Sequence, residues 1–499
     1  MSLRAKAFEA LLWGTGFRIF RDLLQFGLML VLVRILAPAE YGRYGLLTSV
    51  VGFLGLFAAK NFFGYFLQVR RDSALHLQDH FTAGAAIQGV LFVVANALAL
   101  LLRASDTYRP IAPLLHVTSL LFLIELPGEF CSKLLERQLA FRRLRTLGAV
   151  ALVVTASVAL AMALSGAGVW ALVVPPLLAS LPFAWELLWR QRFRPTWEFH
   201  PDHFRPTALF TAARIASGGL NGARELLQNG LVVRFFGFAT LGVYGRAVGL
   251  GNLLCASVAS QFVSNLYPVL TRSDVASPAF QRASGLLLRG VTWLVVPIAA
   301  VLGLLAAPVV QTVYGARWDA VIPLMPVAMV ENVVRSVAAT LYALLLAAQQ
   351  QRRCLLQDSL VLLLVLGCLV FGLPGGVRRY LALLAVAEAC GGALMVWWLV
   401  KGNVLDWKAV AVAGWPAFAA GLAGSGVVWV GSRLLGEAAR HLPVAALLGV
   451  GCVVVYGAVI RVGFPRQLLE LLELLPGGGW VAQVLWLRMP AGTCNGGRS

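Results

Sequence analysis

The chain has 499 residues, of which 59% are hydrophobic and only 13% charged. A soluble domain carries about a quarter charged residues, so this composition leaves too little polar surface for a particle whose exterior is water. The formal charge of +19, from 41 Lys+Arg and 22 Asp+Glu, is dispersed rather than gathered into a basic stripe with interleaved aromatics, so no nucleic-acid partner is expected. Segments that cross a bilayer with their basic loops on one side account for the excess. Seven cysteines stand without a CxxC spacing, so neither a disulfide framework nor a zinc site is indicated. The sequence has no G-x-x-x-x-G-K-[ST] run, so the chain is not expected to hydrolyse ATP.

A bilayer span takes about 20 mostly apolar residues, and that spacing recurs along the whole chain. About fourteen spans are predicted, near 10–36, 42–69, 81–102, 110–134, 146–164, 167–189, 207–236, 241–268, 284–313, 320–347, 355–373, 379–400, 409–432 and 442–461. Arg4 and Lys6 before an apolar run, with Ala37-Pro38-Ala39 after it, loosely outline a secretion signal. Arg18, Arg21 and Asp22 interrupt the run, so an uncleaved first span is expected.

An even number of spans puts both termini on one side. Placing them in the cytoplasm leaves about 23 Lys+Arg inside, among them Arg70, Arg71, Arg142 and Arg143, against about 9 outside. Arg378 and Arg379 fall on the wrong side of this scheme. Every outside loop is short, which leaves no room for an extracellular catalytic domain. From Arg466 to Leu475 the sequence reads as a short amphipathic helix on the cytoplasmic surface.

Comparison of the chain with itself reveals a repeat. Arg21-Asp22-Leu23-Leu24-Gln25 returns as Arg224-Glu225-Leu226-Leu227-Gln228, an offset of 203, and Tyr41-Gly42-Arg43 returns in the same register as Tyr244-Gly245-Arg246. Six spans fit in that interval, so the repeats are parallel. The expected architecture is an all-α integral membrane protein with two six-helix lobes and two appended helices. Its divisions are an N-lobe at 1–206, a C-lobe at 207–402, appended spans at 403–465 and a cytoplasmic tail at 466–499.

The repeat carries charge into the bilayer. On a helix, Thr15, Arg18, Arg21, Asp22 and Gln25 fall within an arc of about 120°, and Arg214, Gly218, Asn221, Arg224, Glu225 and Gln228 share one face of the seventh span. Each charge at the bilayer centre costs about 2.5 to 3.5 kcal/mol on insertion scales, so these faces should look into a bundle or onto water. Lys60, Arg289 and Arg335 add positive charge against Glu125, Glu129, Glu331 and Glu388. The set is weighted toward arginine, whose planar fork of donors matches phosphate oxygens, and an anionic ligand is favoured.

Arg18, Arg21, Lys60, Arg214 and Arg224 are the expected head-group contacts, with Asp22, Gln25, Asn221, Glu225 and Gln228 tuning the cavity around them. Against this stands a purely structural reading, in which Arg18 and Asp22, spaced i,i+4, neutralise each other. Arg34, Arg43, Arg234, Arg246 and Arg289 lie near span ends and are read as snorkelling to headgroups. His76/His80 and His200/His203 have spacings a metal could use, but without Cys or a third placed ligand they read as solvated, so no metal and no cofactor is expected.

Three stretches resemble a known family. Arg34-Ile35-Leu36-Ala37-Pro38-Ala39-Glu40-Tyr41-Gly42-Arg43-Tyr44 is similar to the stretch that closes the first span of polysaccharide-exporter flippases. Leu135-Glu136-Arg137-Gln138-Leu139-Ala140-Phe141 and Gly166-Ala167-Gly168-Val169-Trp170-Ala171-Leu172 resemble two further motifs of that family. It belongs to the multidrug, oligosaccharidyl-lipid and polysaccharide exporter superfamily.

The resemblance implies a V-shaped pair of six-helix lobes in the bacterial cytoplasmic membrane, moving a polyprenyl-diphosphate-linked oligosaccharide from the cytoplasmic to the periplasmic leaflet by alternating access, with no covalent chemistry. It singles out Arg21, which with Asp22 and the later Arg34-Ile35-Leu36 also resembles the first span of the lipid II flippase. It further implies a groove for the polyprenyl tail at spans thirteen and fourteen, and a polysaccharide polymerase and other assembly proteins as candidate partners. One departure stands out: many relatives carry Asp near the position of Gln228, so ion coupling through that residue is not implied here. The rivals are a cation-coupled multidrug exporter, which needs a carboxylate-dominated pocket, and a membrane polysaccharide polymerase or ligase, which needs a large outside loop with Arg and His.

Overall fold

The computed structural model describes residues 3–67, 76–197, 199–275, 277–436, 438 and 441–472. Among these every regular element is helical. The helices are α1 (Leu3–Ile35), α2 (Pro38–Gly55), α3 (Ala59–Phe63), α4 (Leu77–Arg103), α5 (Ala112–Arg137), α6 (Phe141–Leu164), α7 (Trp170–Val173), α8 (Pro175–Leu178), α9 (Leu181–Trp185) and α10 (Pro201–Gly251). After them come α11 (Ser257–Arg272), α12 (Pro278–Leu304), α13 (Ala306–Val313), α14 (Met325–Ala347), α15 (Gln351–Gly372), α16 (Val377–Lys401), α17 (Trp407–Leu435), α18 (Leu442–Gly463) and α19 (Pro465–Leu472). Exposed Val90, Val93, Leu100 and Leu101 on α4 show the outward apolar face that only lipid solvates well.

The chain is a multi-pass, all-helical membrane protein. Eleven described helices are long and apolar enough to cross a membrane, or twelve if the bent pair α2 and α3, which meet at 49°, is one span. That number does not reproduce the fourteen expected. The stretch from Gly218 to Arg272 counts once although its 55 residues take in parts of two expected spans, and α1, which carries Arg18, Arg21, Asp22 and Arg34, is not among the eleven.

Inside α10 the backbone breaks at Gly237 (φ 80°, ψ 174°), a conformation that glycine adopts without Cβ strain. That break lies 203 residues beyond Arg34, beside the gap between α1 and α2. Pro38 starts α2 at a position where its missing N–H is no loss, and the Glu40 carboxylate accepts the Ala37 N–H at 2.7 Å.

By contacts the chain forms two compact units, residues 1–245 and 246–499. In the first, α4 packs along α5 and α1 along α6, and a buried aromatic cluster of Phe63, Phe66, Phe81 and Phe130 joins the base of α3 to α4 and α5. Gly42 on α2 meets Gly242 on α10 so closely that a Cβ on either would overlap the other strand of backbone, at the Phe238 or Pro38 carbonyl. Small residues that let helix backbones touch are a usual means of packing in membranes. In the second unit, α12 lies against α14 and α17, α14 against α16, and α17 against α18. Arg289 of α12 is nearly buried and donates to Glu470 of α19 at 2.8 Å, which holds the amphipathic tail helix on the bundle.

Candidate functional site

The first unit contains two adjoining cavities. One, of about 550 Å³, is lined by α1, α5, α6 and the short helices α7 to α9, with Arg21, Gln25, Glu125, Glu129 and Thr155 on its wall. The other, of about 380 Å³, lies between α2, α3 and α5 and takes in Lys60, Asn61, Thr48 and Thr118. Tyr44, Glu125, Leu172 and Pro176 line both. Glu125 therefore stands at the junction, with its carboxylate 4.0 Å from the Lys60 ammonium.

Local sequence explains how these groups are aimed. Glu125 and Glu129 are one turn apart on α5 and share a face. Between them lie Pro127, which removes a helix hydrogen bond, and Gly128, where a Cβ would meet Ser180 at 2.6 Å. The Ser180 hydroxyl donates to the Ile124 carbonyl at 3.0 Å, so the sixth-span segment docks against the middle of α5. On the other wall, Gly148 of α6 lets the Phe17 ring approach, and Arg142 and Arg145 lie over the Trp13 and Phe17 rings at 5.5 and 5.6 Å. These contacts fix α1 so that Arg21 and Gln25 look into the larger cavity.

Arg21 donates through Nε and Nη2 to one oxygen of Asp22, at 2.9 and 2.8 Å. The pairing is between sequence neighbours, not the Arg18 and Asp22 pair that i,i+4 spacing suggests, and both side chains keep about half of their surface exposed. Arg18 is exposed. On α10, Asn221 and Glu225 are exposed, Arg224 is half-buried, and the three lie outside the lining of both cavities. Gln228 is buried and donates to the Tyr244 hydroxyl across the Gly237 break, and Asn229 donates to Ser49 of α2 at 2.6 Å. The side chain of Arg214 lies outside the described residues, as do Arg70 and Arg71.

Several other intramembrane charges are structural pairs. Glu186 is buried and pairs with Arg143, and Glu331 is buried and pairs with Arg335 one turn along α14. The three stretches that resembled a family also serve helix ends, although Tyr44 and Leu172 from two of them reach the cavity wall. Gly168 (φ 57°) sits against the Glu40 carboxylate, and Arg137 donates to the Phe66 carbonyl at the end of α3.

The second unit has two apolar hollows. One of about 720 Å³ lies between α12, α14 and α17, lined by Val296, Gly303, Met329, Trp415 and Phe418 among others. A smaller one of about 410 Å³ separates α12 and α13 from α18.

Sequence reasoning missed one cluster. Asp79, buried at the start of α4, accepts from the backbone N–H of His200 at 2.7 Å, from His200 Nδ1 at 2.9 Å and from His203 Nδ1 at 2.7 Å. His76 stacks on His203 with ring centroids 3.5 Å apart. The two pairs that read as solvated thus meet around a carboxylate that lies within the first of them.

Residues 31–323 match the family model described as "Polysaccharide biosynthesis protein". The chain belongs to that family. Two of its relatives are named for polysaccharide transport or biosynthesis. It is 26% identical over 301 residues to the succinoglycan biosynthesis transport protein ExoT of Rhizobium meliloti, a match covering 59% of this chain and 60% of that protein. It is 24% identical over 370 residues to the lipopolysaccharide biosynthesis protein WzxC of Escherichia coli, covering 70% and 71% of the two chains.

In fold it is similar to the lipid II flippase MurJ in an inward closed conformation, with a TM-score of 0.71, 12% identity and coverage of 91% of this chain and 100% of that one. An inward-facing multidrug resistance transporter of the MATE family and MOP superfamily follows at a TM-score of 0.58 and 14% identity, covering 78% and 95% of the two chains. The named relatives support a transporter in polysaccharide assembly, and the solved structures show the fold.

Proposed function

We propose that this chain is a flippase that carries a polyprenyl-diphosphate-linked oligosaccharide from the cytoplasmic to the periplasmic leaflet by alternating access. The observation that carries the reading is Arg21. It is a guanidinium on a membrane helix whose side chain remains about half exposed on the wall of a 550 Å³ cavity, with Lys60 in the adjoining one. A fork of N–H donors in such a place suits the oxygens of a diphosphate. Asp22 already occupies part of the Arg21 fork, so an arriving anion competes with it for the guanidinium, which weakens binding and keeps the anion exchangeable.

The proposed head-group contacts are Arg18, Arg21, Lys60, Arg214 and Arg224, with Asp22, Gln25, Asn221, Glu225 and Gln228 tuning them. The hollow beside α17 is apolar enough for prenyl units. In this reading the duplicated lobes are 1–206 and 207–402, followed by the appended pair 403–465 and the tail 466–499. The protein sits in the bacterial cytoplasmic membrane with both termini inside, as its basic loops favour. A polymerase and other assembly proteins receive its product.

One observation favours a cation-coupled exporter as a second reading: Glu125 and Glu129 face the same cavity as Arg21. The two readings separate in one experiment. Arg21→Ala with Arg224→Ala is introduced on the chromosome, and surface polysaccharide and cytoplasmic lipid-linked precursor are both measured. Loss of the polymer with build-up of the precursor is expected. Wild-type polymer in that strain refutes the assignment, and drug sensitivity without precursor build-up selects the exporter.

A further inference from the structure

The His76, Asp79 and His203 side chains each present a ligand atom, and the three atoms lie within 4.8 Å of one another. The geometry points to a binding site for a divalent transition-metal ion of the zinc type at this junction, independent of the transported substrate.

Hydrogen bonding sets the chemistry. The Asp79 carboxylate oxygens meet Nδ1 of His200 at 2.9 Å and Nδ1 of His203 at 2.7 Å, with a proton between each pair. A metal ion that replaced the proton would take the carboxylate oxygen and Nδ1 together as ligands, since such ligands bind deprotonated. His76 and His203 stack at 3.5 Å with planes 8° apart; an imidazole nitrogen donates in the plane of its ring, so ligation of one ion by both requires His76 to turn out of the stack.

His76 caps α4 in the left-handed region (φ 41°, ψ 56°), where non-glycine residues are uncommon and cluster at functional positions. Its carbonyl accepts from His80 Nδ1 at 3.0 Å, while His80 Nε2 bonds Thr207 at 2.7 Å, so His80 braces the junction and is not a ligand.

The surroundings are anchored from a second direction. Gln78 donates to the Arg194 carbonyl at 2.9 Å and accepts the Thr196 N–H at 3.0 Å, which sets the approach of the chain to His200. Tetrahedral zinc with nitrogen and oxygen ligands needs ligand atoms about 3.3 Å apart, so the half-buried His76 must leave its stack on His203 to close the set, with the exposed His200 or water in the fourth place. Imidazole ligands select against magnesium and calcium, which take oxygen. The ion would join residues more than a hundred positions apart and clamp the start of α4 to the start of α10.

The test uses the full chain, purified with an affinity tag that contains no histidine and reconstituted in nanodiscs. Zn²⁺ is titrated by calorimetry, and Co²⁺ by its visible absorption. One equivalent of Zn²⁺, a tetrahedral Co²⁺ spectrum and a rise in unfolding temperature with Zn²⁺ are expected. His203→Ala and His76→Ala should each weaken binding by at least about tenfold, while His116→Ala, on a ring bonded to Asn96 away from the cluster, should not. His76→Ala serves as the second variant if His203→Ala fails to fold, because His76 contributes a stacked ring and no bond to Asp79. Absence of Zn²⁺ binding in the wild type, or binding that survives His76→Ala together with His203→Ala, overturns the site.

Discussion

Two arginines in the first unit should respond in opposite ways to the same substitution. Arg143, at the start of α6, pairs with Glu186, which is 1% exposed, whereas Arg21 pairs with Asp22 where both side chains are open, at 44% and 57%. Removing Arg143 strands a carboxylate in a site without water, and breaking a buried ion pair from one side costs about 3 to 5 kcal/mol. Removing Arg21 breaks an exposed pair, worth about 0 to 1 kcal/mol. Arg143→Met should therefore destabilise the protein strongly and lower its amount in the membrane, and Arg21→Met should abolish export in a protein of nearly normal stability. Adding Glu186→Leu to Arg143→Met should restore most of the loss, since two apolar side chains of similar volume replace a buried pair at little net cost. Denaturant unfolding of the wild type, Arg143→Met, Glu186→Leu and the double variant in a double-mutant cycle, with Arg21→Met alongside and quantitation of surface polysaccharide, reads both arms. Arg143→Met within about 1 kcal/mol of wild type, or a double variant no more stable than the single one, would refute the reasoning.

Gly42→Ala and Gly242→Ala place a methyl on backbone carbonyls; overpacking of this kind costs about 1 to 3 kcal/mol, and thermal unfolding in detergent should show each variant less stable, whereas Gly52→Ala, which meets open space, should be nearly neutral. Gly168→Ala combines a left-handed φ with a collision at Glu40, so it should lose more stability than Glu40→Gln, which keeps an oxygen to accept the Ala37 N–H; the same unfolding assay ranks them.

Much of the class was written in composition: the membrane habit, the helices and the aim of Arg21 and Gln25 follow from apolar spacing and helical periodicity. The partners of the charges did not follow. Spacing at i,i+4 suggested Arg18 with Asp22, but the Arg21 side chain folds back onto its sequence neighbour instead. Arg289 read as snorkelling because nothing local shows that α19 returns Glu470 to it. The fourteen spans expected and the eleven or twelve described differ at α1, which is heavily charged, and at Gly218–Arg272, a helical stretch of 55 residues broken at Gly237. The meeting of the histidines was not legible in sequence for a similar reason: only the fold brings residues 76–79 to residues 200–203. The family-like stretches at 34–44 and 166–172 were legible as motifs, while their physical task, the mutual fit of Glu40 and Gly168, needed coordinates.

The hydrogen bond between Gln228 and Tyr244 has a consequence for the duplicated pattern as a whole. Its counterparts 203 residues earlier are Gln25 and Tyr41, of which Gln25 opens onto the cavity and Tyr41 is buried in the next helix. One copy has thus turned its glutamine into a rivet across a bend, and the other has kept it as a hand held out to solvent. A ligand can recruit Gln25 without dismantling any joint, whereas recruiting Gln228 would first unfasten the elbow of α10. The same residue type thus does different work at the two ends of the repeat.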